Sequence, residues 1–176
     1  IDISMTDNLF PFMFWGLGSG FSKNTWPRNS DSTLSGGSPR YNIYETKDGG
    51  YLAAAPLEDR FWNKFCEAIE LPKKYINMDD NPKKVIQRIR DIIKLKNKDH
   101  WFDVFEKADC CCSIVKSLEE AINDNHFKVR EIFSRKILSE EGHEIPALPV
   151  PIDNQFRKGK ISEKAPKLGI HNNLFF

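Results

Sequence analysis

Tyr41-Asn42-Ile43-Tyr44-Glu45 and Tyr51-Leu52-Ala53-Ala54-Ala55 flank the tetrapeptide Lys47-Asp48-Gly49-Gly50. Apolar residues alternate on either side of an Asp-Gly-Gly turn, which predicts a β-hairpin. Pro56 has no amide hydrogen to give to a ladder, so it ends the second strand. Just beyond it, Phe61, Trp62, Phe65, Cys66 and Ile69 recur at three- and four-residue steps. That spacing predicts a helix over about 58–70 with one buried face, closed by Leu71-Pro72. A hairpin followed by an amphipathic helix points to an α/β fold.

Working outward, Asn81-Pro82 opens the next helix, with proline at its first position. Val85, Ile86, Ile89, Ile92 and Ile93 form its apolar stripe. Asp99 is expected to cap a short helix containing Trp101, Phe102 and Phe105. Cys110 to Val115 reads as a buried strand, and Ser117-Leu118-Glu119-Glu120 as a capping box leading into a helix. After Phe133 the pattern falls to short strand-like pieces. From Ile145 onward, Pro146, Pro149, Pro151 and Pro166 predict extended chain laid over something else. In the other direction, Trp26 to Pro39 is rich in Ser, Asn, Gly and Pro and reads as a linker. The apolar run Leu9 to Phe21 is interrupted by Pro11, Gly16, Gly18 and Gly20. It is also shorter than the roughly 20 residues that cross a bilayer.

Composition narrows the function. The chain has 176 residues, 40% of them hydrophobic, with 13 Phe and 4 Trp, enough apolar bulk for a core. A net charge of +1 argues against a dedicated nucleic-acid or anionic-membrane binder. Of the 4 Cys, Cys110, Cys111 and Cys112 are consecutive, unlike a secreted disulfide scaffold, so a reducing compartment is expected. No basic stretch precedes an apolar one at Ile1, so no signal peptide is read there. A start inside an apolar, helix-like segment leads us to expect that the chain begins partway through a larger protein.

Each residue with chemical potential has two readings. Asp7 fronts the aromatic helix, where a carboxylate is a cap favoured by the helix dipole, or a nucleophile or base if it lines a pocket. Glu58 stands where a strand gives way to a helix. It either complements the dipole there or points into a cleft, since catalytic groups often sit at such junctions. Gly36-Gly37-Ser38-Pro39 permits positive φ or close backbone approach to a ligand, yet has neither dinucleotide nor phosphate-loop spacing, so a plain turn is the simpler reading. The three adjacent cysteines would alternate faces on a strand, which rules out one shared metal and suits small core residues. His100, His126, His143 and His171 are scattered, and no metal site is expected. The Lys/Arg face of the helix from Pro82 to Lys98 reads as solvated rather than anion-binding.

Several segments, taken in order, resemble one family. They are Leu34-Ser35-Gly36-Gly37-Ser38-Pro39-Arg40-Tyr41-Asn42-Ile43-Tyr44, Asp48-Gly49-Gly50-Tyr51-Leu52-Ala53 and Leu57-Glu58-Asp59-Arg60-Phe61. Trp101-Phe102-Asp103-Val104-Phe105, Ala108-Asp109-Cys110-Cys111, Ser117-Leu118-Glu119-Glu120-Ala121 and the closing Pro166-Lys167-Leu168-Gly169-Ile170-His171 continue the likeness. The chain resembles the α-methylacyl-CoA racemases of the family III CoA-transferase superfamily over nearly its whole length. The resemblance implies interlocked dimers in which a large domain with a Rossmann-like core joins a small α/β domain. Residues 38–138 would form the small domain. Residues 1–37 would supply a helix and linker from the large domain, and 139–176 an extended tail returning to it.

The same resemblance implies site roles. Racemisation beside a thioester needs a base on one face of the carbon, an acid on the other, and donors for the enolate oxygen. The acid/base His and Asp of such racemases belong to an N-terminal half, and none of the four His here matches. Activity is therefore expected of a full-length member. Glu58 matches the family's active-site Glu, which orients that His; Asp59 departs from the Pro common in racemases. Asp7 matches the carboxylate that attacks the thioester in the transferase branch. Tyr41, with Gly36 and Gly37, would lie near the acyl entrance.

Two branches follow: 1,1-proton transfer at the α-carbon of an acyl-CoA, or CoA transfer through an acyl-aspartyl intermediate on Asp7. An inactive remnant or dimerisation module is a third. Coenzyme A enters as part of the substrate, with no other cofactor. The expected partners are an acyl-CoA and a second copy of the chain, without nucleic acid or membrane, in the cytoplasm.

Overall fold

The computed structural model describes residues 3–77, 81–148, 152, 154–156 and 162–174. Pro149, Pro151, Phe175 and Phe176 therefore lie outside the described residues. The chain divides into two compact units, Ile1–Val115 and Lys116–Phe176. Among the described residues, no helix is long and apolar enough to cross a membrane.

The first unit begins with a 3₁₀ turn, Asp7–Met13, running into α1 (Phe14–Lys23). Pro11 lies inside the 3₁₀ stretch. α1 stops at Asn24, whose φ of 50° places it in the left-handed region that ends helices. The predicted hairpin forms as β1 (Asn42–Glu45) and β2 (Tyr51–Ala54), antiparallel, with Tyr44 opposite Leu52. Pro56 is buried just past the last rung.

Three helices pack on this sheet: α2 (Asp59–Ala68), α3 (Pro82–Ile93) and α4 (Lys98–Ala108). Asn81 caps α3, its side-chain oxygen accepting the Lys84 amide at 3.2 Å. The cap of α4 is Asn97; Asp99, the expected cap, lies one step inside the first turn. α4 ends at Asp109, again left-handed, and Cys111 follows with φ 57°. These two reversals shorten the expected strand to β3 (Cys112–Ile114), paired antiparallel with β2 at the sheet edge.

The core sits between sheet and helices. Trp62, Phe65, Phe105 and Trp101 form a ladder of rings with centroids 5.8, 5.8 and 5.7 Å apart. Both indoles keep a polar partner. Trp101 donates to the Ile93 carbonyl at 2.8 Å and Trp62 to that of Ile76 at 3.2 Å. Val85, Ile86, Ile89 and Ile93 of the stripe read from the sequence lie in the core as the buried face of α3, and Ile92 packs partly buried against it.

The second unit holds α5 (Leu118–Ile122), α6 (Asn125–Val129) and a small sheet of β4 (Lys136–Leu138), β5 (Glu144–Pro146) and β6 (Ser162–Lys164). β4 lies centrally, antiparallel to β5 and parallel to β6. The capping box at Ser117 is complete. Ser117 Oγ accepts the Glu120 amide at 3.1 Å, and the Glu120 carboxylate accepts that of Ser117 at 2.8 Å. Among the described residues after Val115, none is buried.

Candidate functional site

The glycine loop ahead of β1 is built around two different demands on glycine. Gly36 has φ 99° with open space around it, so it is chosen for its backbone. Gly37 is chosen for space. A β-carbon there would stand 2.2 Å from the Asp31 carbonyl oxygen, and the Gly37 amide donates to the Ser32 carbonyl at 3.0 Å.

The hairpin holds this loop from beneath. Asn42 Nδ2 donates to the Gly36 carbonyl at 2.9 Å and to that of Ser38 at 3.3 Å. The buried Tyr44 donates its hydroxyl to the Pro39 carbonyl at 2.8 Å. Burial drives the Tyr44 pKa upward, so the phenol stays a donor.

Between loop and sheet lies a cleft of about 530 Å³. Gly36 and Tyr41 line it together with Ala53, Ala55 and Arg90. The alanines keep its floor low and apolar; Arg90, from α3, brings a cation to its wall. Gly37 instead lines a separate hollow of about 150 Å³, with Arg40 and Trp62.

Glu58 lines neither space. It is the N-cap residue of α2, extended at φ −77° and ψ 144°, with its carbonyl accepting the Phe61 and Trp62 amides. Its side chain is exposed and makes no cap bond. Arg40 joins this junction to the glycine loop. Its Nη1 donates to the Leu57 carbonyl at 3.0 Å and to the Asp59 carboxylate at 2.6 Å, the two neighbours of Glu58. The guanidinium also lies 5.1 Å from the Trp62 ring centroid. Asp59, at the position where the likeness to racemases breaks, is thus tied into the same network.

Asp7 lies in the first turn of the 3₁₀ segment and is exposed. Ser4 Oγ accepts the Asp7 amide at 3.2 Å, while Thr6 at the N-cap position makes no side-chain cap bond. Among the described residues, none hydrogen-bonds the Asp7 carboxylate, and no group of His, Cys, Asp and Glu could hold a metal ion.

Comparison with known proteins gives the lineage. The model of "CoA-transferase family III" matches residues 1–172. The chain belongs to CoA-transferase family III. Within the family it is 32% identical over 124 residues to a human alpha-methylacyl-CoA racemase, covering 68% of this chain and 31% of that protein. The mouse alpha-methylacyl-CoA racemase is 26% identical over 144 residues, covering 78% of this chain and 36% of that one. The chain thus spans about a third of the length of these relatives. A mutant form of Rv3272 from Mycobacterium tuberculosis superposes with a TM-score of 0.68 at 13% identity, over 98% of this chain and 45% of that one. At that identity the likeness speaks for the fold. The expected architecture, a small α/β portion of a family III fold, is what this family member has.

Two features of the site escaped the sequence. Arg90 was folded into a solvated basic face, since its flank of the helix carries no sign of what lies opposite. Arg40 gave no signal at all; its partners Leu57 and Asp59 stand 17 and 19 residues away.

Proposed function

We propose that this family III member is the C-terminal portion of an α-methylacyl-CoA racemase-like enzyme that transfers a proton at the α-carbon of an acyl-CoA thioester. The observation that carries this reading is the Arg40 tie, which fastens the Glu58 junction to the segment between the glycine loop and Tyr41. In this reading the acyl chain enters beside Tyr41 and Gly36. Glu58 orients a His supplied from the part of the relatives that this chain does not span, across a pair of subunits. Residues 1–37 and 139–176 pack on a large domain, and 38–138 form the small one. One observation supports the assignment of residues 1–37: the aromatic side chains exposed from Leu9 to Phe21. Coenzyme A is then part of the substrate and needs no further cofactor. Free Cys66, Cys110, Cys111 and Cys112 suit a reducing compartment such as the cytoplasm.

The test is exchange of the α-proton of a 2-methylacyl-CoA in deuterated water by the full-length enzyme. Glu58→Gln should slow exchange by about 100-fold through misplacement of the His it orients, the low end of what a general acid–base contributes. Unchanged exchange in that variant removes Glu58 from the site.

One observation favours the transferase branch as a second reading: the Asp7 carboxylate is exposed and uncommitted among the described residues. In that branch Asp7 attacks the thioester carbonyl and releases CoA as thiolate, leaving an acyl anhydride. Hydroxylamine would convert that anhydride to a hydroxamate at Asp7, whereas a racemase would leave Asp7 unmodified.

A further inference from the structure

Arg90 and Lys94 stand one turn apart at the C-terminal end of α3, and both look toward the hairpin. Lys94 Nζ donates to the Glu45 carboxylate of β1 at 2.9 Å. Arg90 meets no acid. Among the described residues its guanidinium has neither a hydrogen bond nor an ion pair. It stands near enough to the buried Tyr44 that its charge opposes the upward drive of burial on that phenol.

What lies in front of Arg90 is apolar. The cleft of about 530 Å³ is floored by Ala53, Ala54 and Ala55, with Leu34 and Ile43 exposed along it. No Asp or Glu is among its described lining residues. Asn42 also lines it, but its amide is already committed. Nδ2 donates to the Gly36 and Ser38 carbonyls, and Oδ1 accepts the Ile43 amide at 2.9 Å. A small-molecule site is mostly apolar wall with a few fixed polar groups, in a volume of about 300–1,000 Å³. A guanidinium at such a wall holds a carboxylate through two parallel bonds. One cation answers one negative charge. A diphosphate would leave further charge facing the alanine floor, where nothing compensates its lost hydration.

We propose that this cleft takes an acyl chain ending in a carboxylate, and that Arg90 is the residue that selects it. The proposal rests on the racemase-like reading, in which the acyl chain enters beside Tyr41 and Gly36. The methylenes lie along the three alanines, and the far carboxylate pairs with the guanidinium on the α3 wall. The substrate class is then the CoA monothioester of a 2-methyl dicarboxylic acid. Arg90 acts on binding and not on the proton transfer, so it sets which chains are held and leaves the chemistry at the α-carbon to other groups. A neutral chain finds the same floor but leaves Arg90 without its counter-charge, and that difference is the source of selection.

The test titrates the 176-residue chain, labelled with nitrogen-15, with monomethyl suberate at neutral pH and follows its amide resonances. The ester stands in for the thioester end and the free carboxylate for the far end. Shifts are expected at Tyr41, Ile43, Ala53 and Ala55. The monoester should bind about 10-fold more tightly than dimethyl suberate, the worth of one charge-assisted pair. Arg90→Met should bring the monoester down to the level of the diester and leave the diester unchanged. The two ligands on the native chain decide the question even where the variant fails to fold. Equal binding of both, shifts outside the cleft, or a preference that survives Arg90→Met would each overturn the proposal. So would coenzyme A alone binding with the same dependence on Arg90, which would make it a phosphate reader. Carboxylate preference without α-proton exchange by the full-length enzyme would remove the racemase reading and keep the site; exchange without the preference would do the reverse.

Discussion

Gly37 holds a position that a β-carbon cannot share. The atoms it would meet are the backbone of Asp31, which cannot rotate aside as a side chain can. Gly37→Ala should therefore cost about 1–3 kcal/mol, the range for overpacking. Gly36→Ala meets no atom within 4 Å and bears only the strain of φ 99°, about 1–2 kcal/mol. Urea denaturation of both variants checks the order, and a Gly36 variant weaker than the Gly37 one would show the loop held differently. The pair was legible as a turn or as a close backbone approach to a ligand; Gly36 takes the positive φ of a turn, and the close approach at Gly37 is to the backbone of Asp31. The sequence could not divide the two roles because Asp31 approaches through a fold of the loop that local propensity does not encode. Glu58 was legible as a junction residue, but Arg40 was not, for its worth lies in contacts distant along the chain.

At the scale of the element, the hairpin turn does more than reverse the chain. Asp48 accepts the Thr46 hydroxyl at 2.5 Å and the Lys98 amide at 3.1 Å, which hooks the turn to the start of α4. The Thr46 hydroxyl, followed by backbone amides, holds the Asp48 carboxyl below its usual range. A carboxyl lowered in the folded state stabilises fully above its unfolded pKa, about 3.9, and loses that contribution as pH falls through the folded value. Thermal melts should show stability declining as pH drops below about 4, and Asp48→Asn should flatten part of that decline. An identical acid limb in the variant would remove Asp48 from the account. Asp-Gly-Gly announced the hairpin plainly, and the apolar stripes announced α2 and α3. The start of α4 was misplaced by two residues because Asn97 and Asp99 are both residue types that favour N-caps, and local sequence does not choose between them. β3 was overextended because an apolar run cannot show that Cys111 turns left-handed.

For the whole molecule, apolar surface is distributed unevenly. The first unit closes a core around Phe65, Ile89 and Trp101, yet its leading segment leaves Met5, Phe12 and Phe21 at 85%, 82% and 80% exposure. Such a run exceeds what a soluble monomer leaves to water without a partner surface. In the reading proposed above, residues 1–37 pack on a large domain, and that packing would cover the segment. The 176-residue chain on its own should therefore bind an apolar fluorescent dye and associate as its concentration rises in sedimentation velocity. Phe12→Ser with Phe21→Ser should weaken both signals while leaving the melt of the hairpin unit unchanged, since neither side chain belongs to its core. A longer protein carrying the proposed large domain should show neither signal. A chain of 176 residues that stays monomeric and dark to the dye at micromolar concentration would mean that the leading segment folds back on surfaces of its own, and the large-domain assignment of residues 1–37 would fall with it.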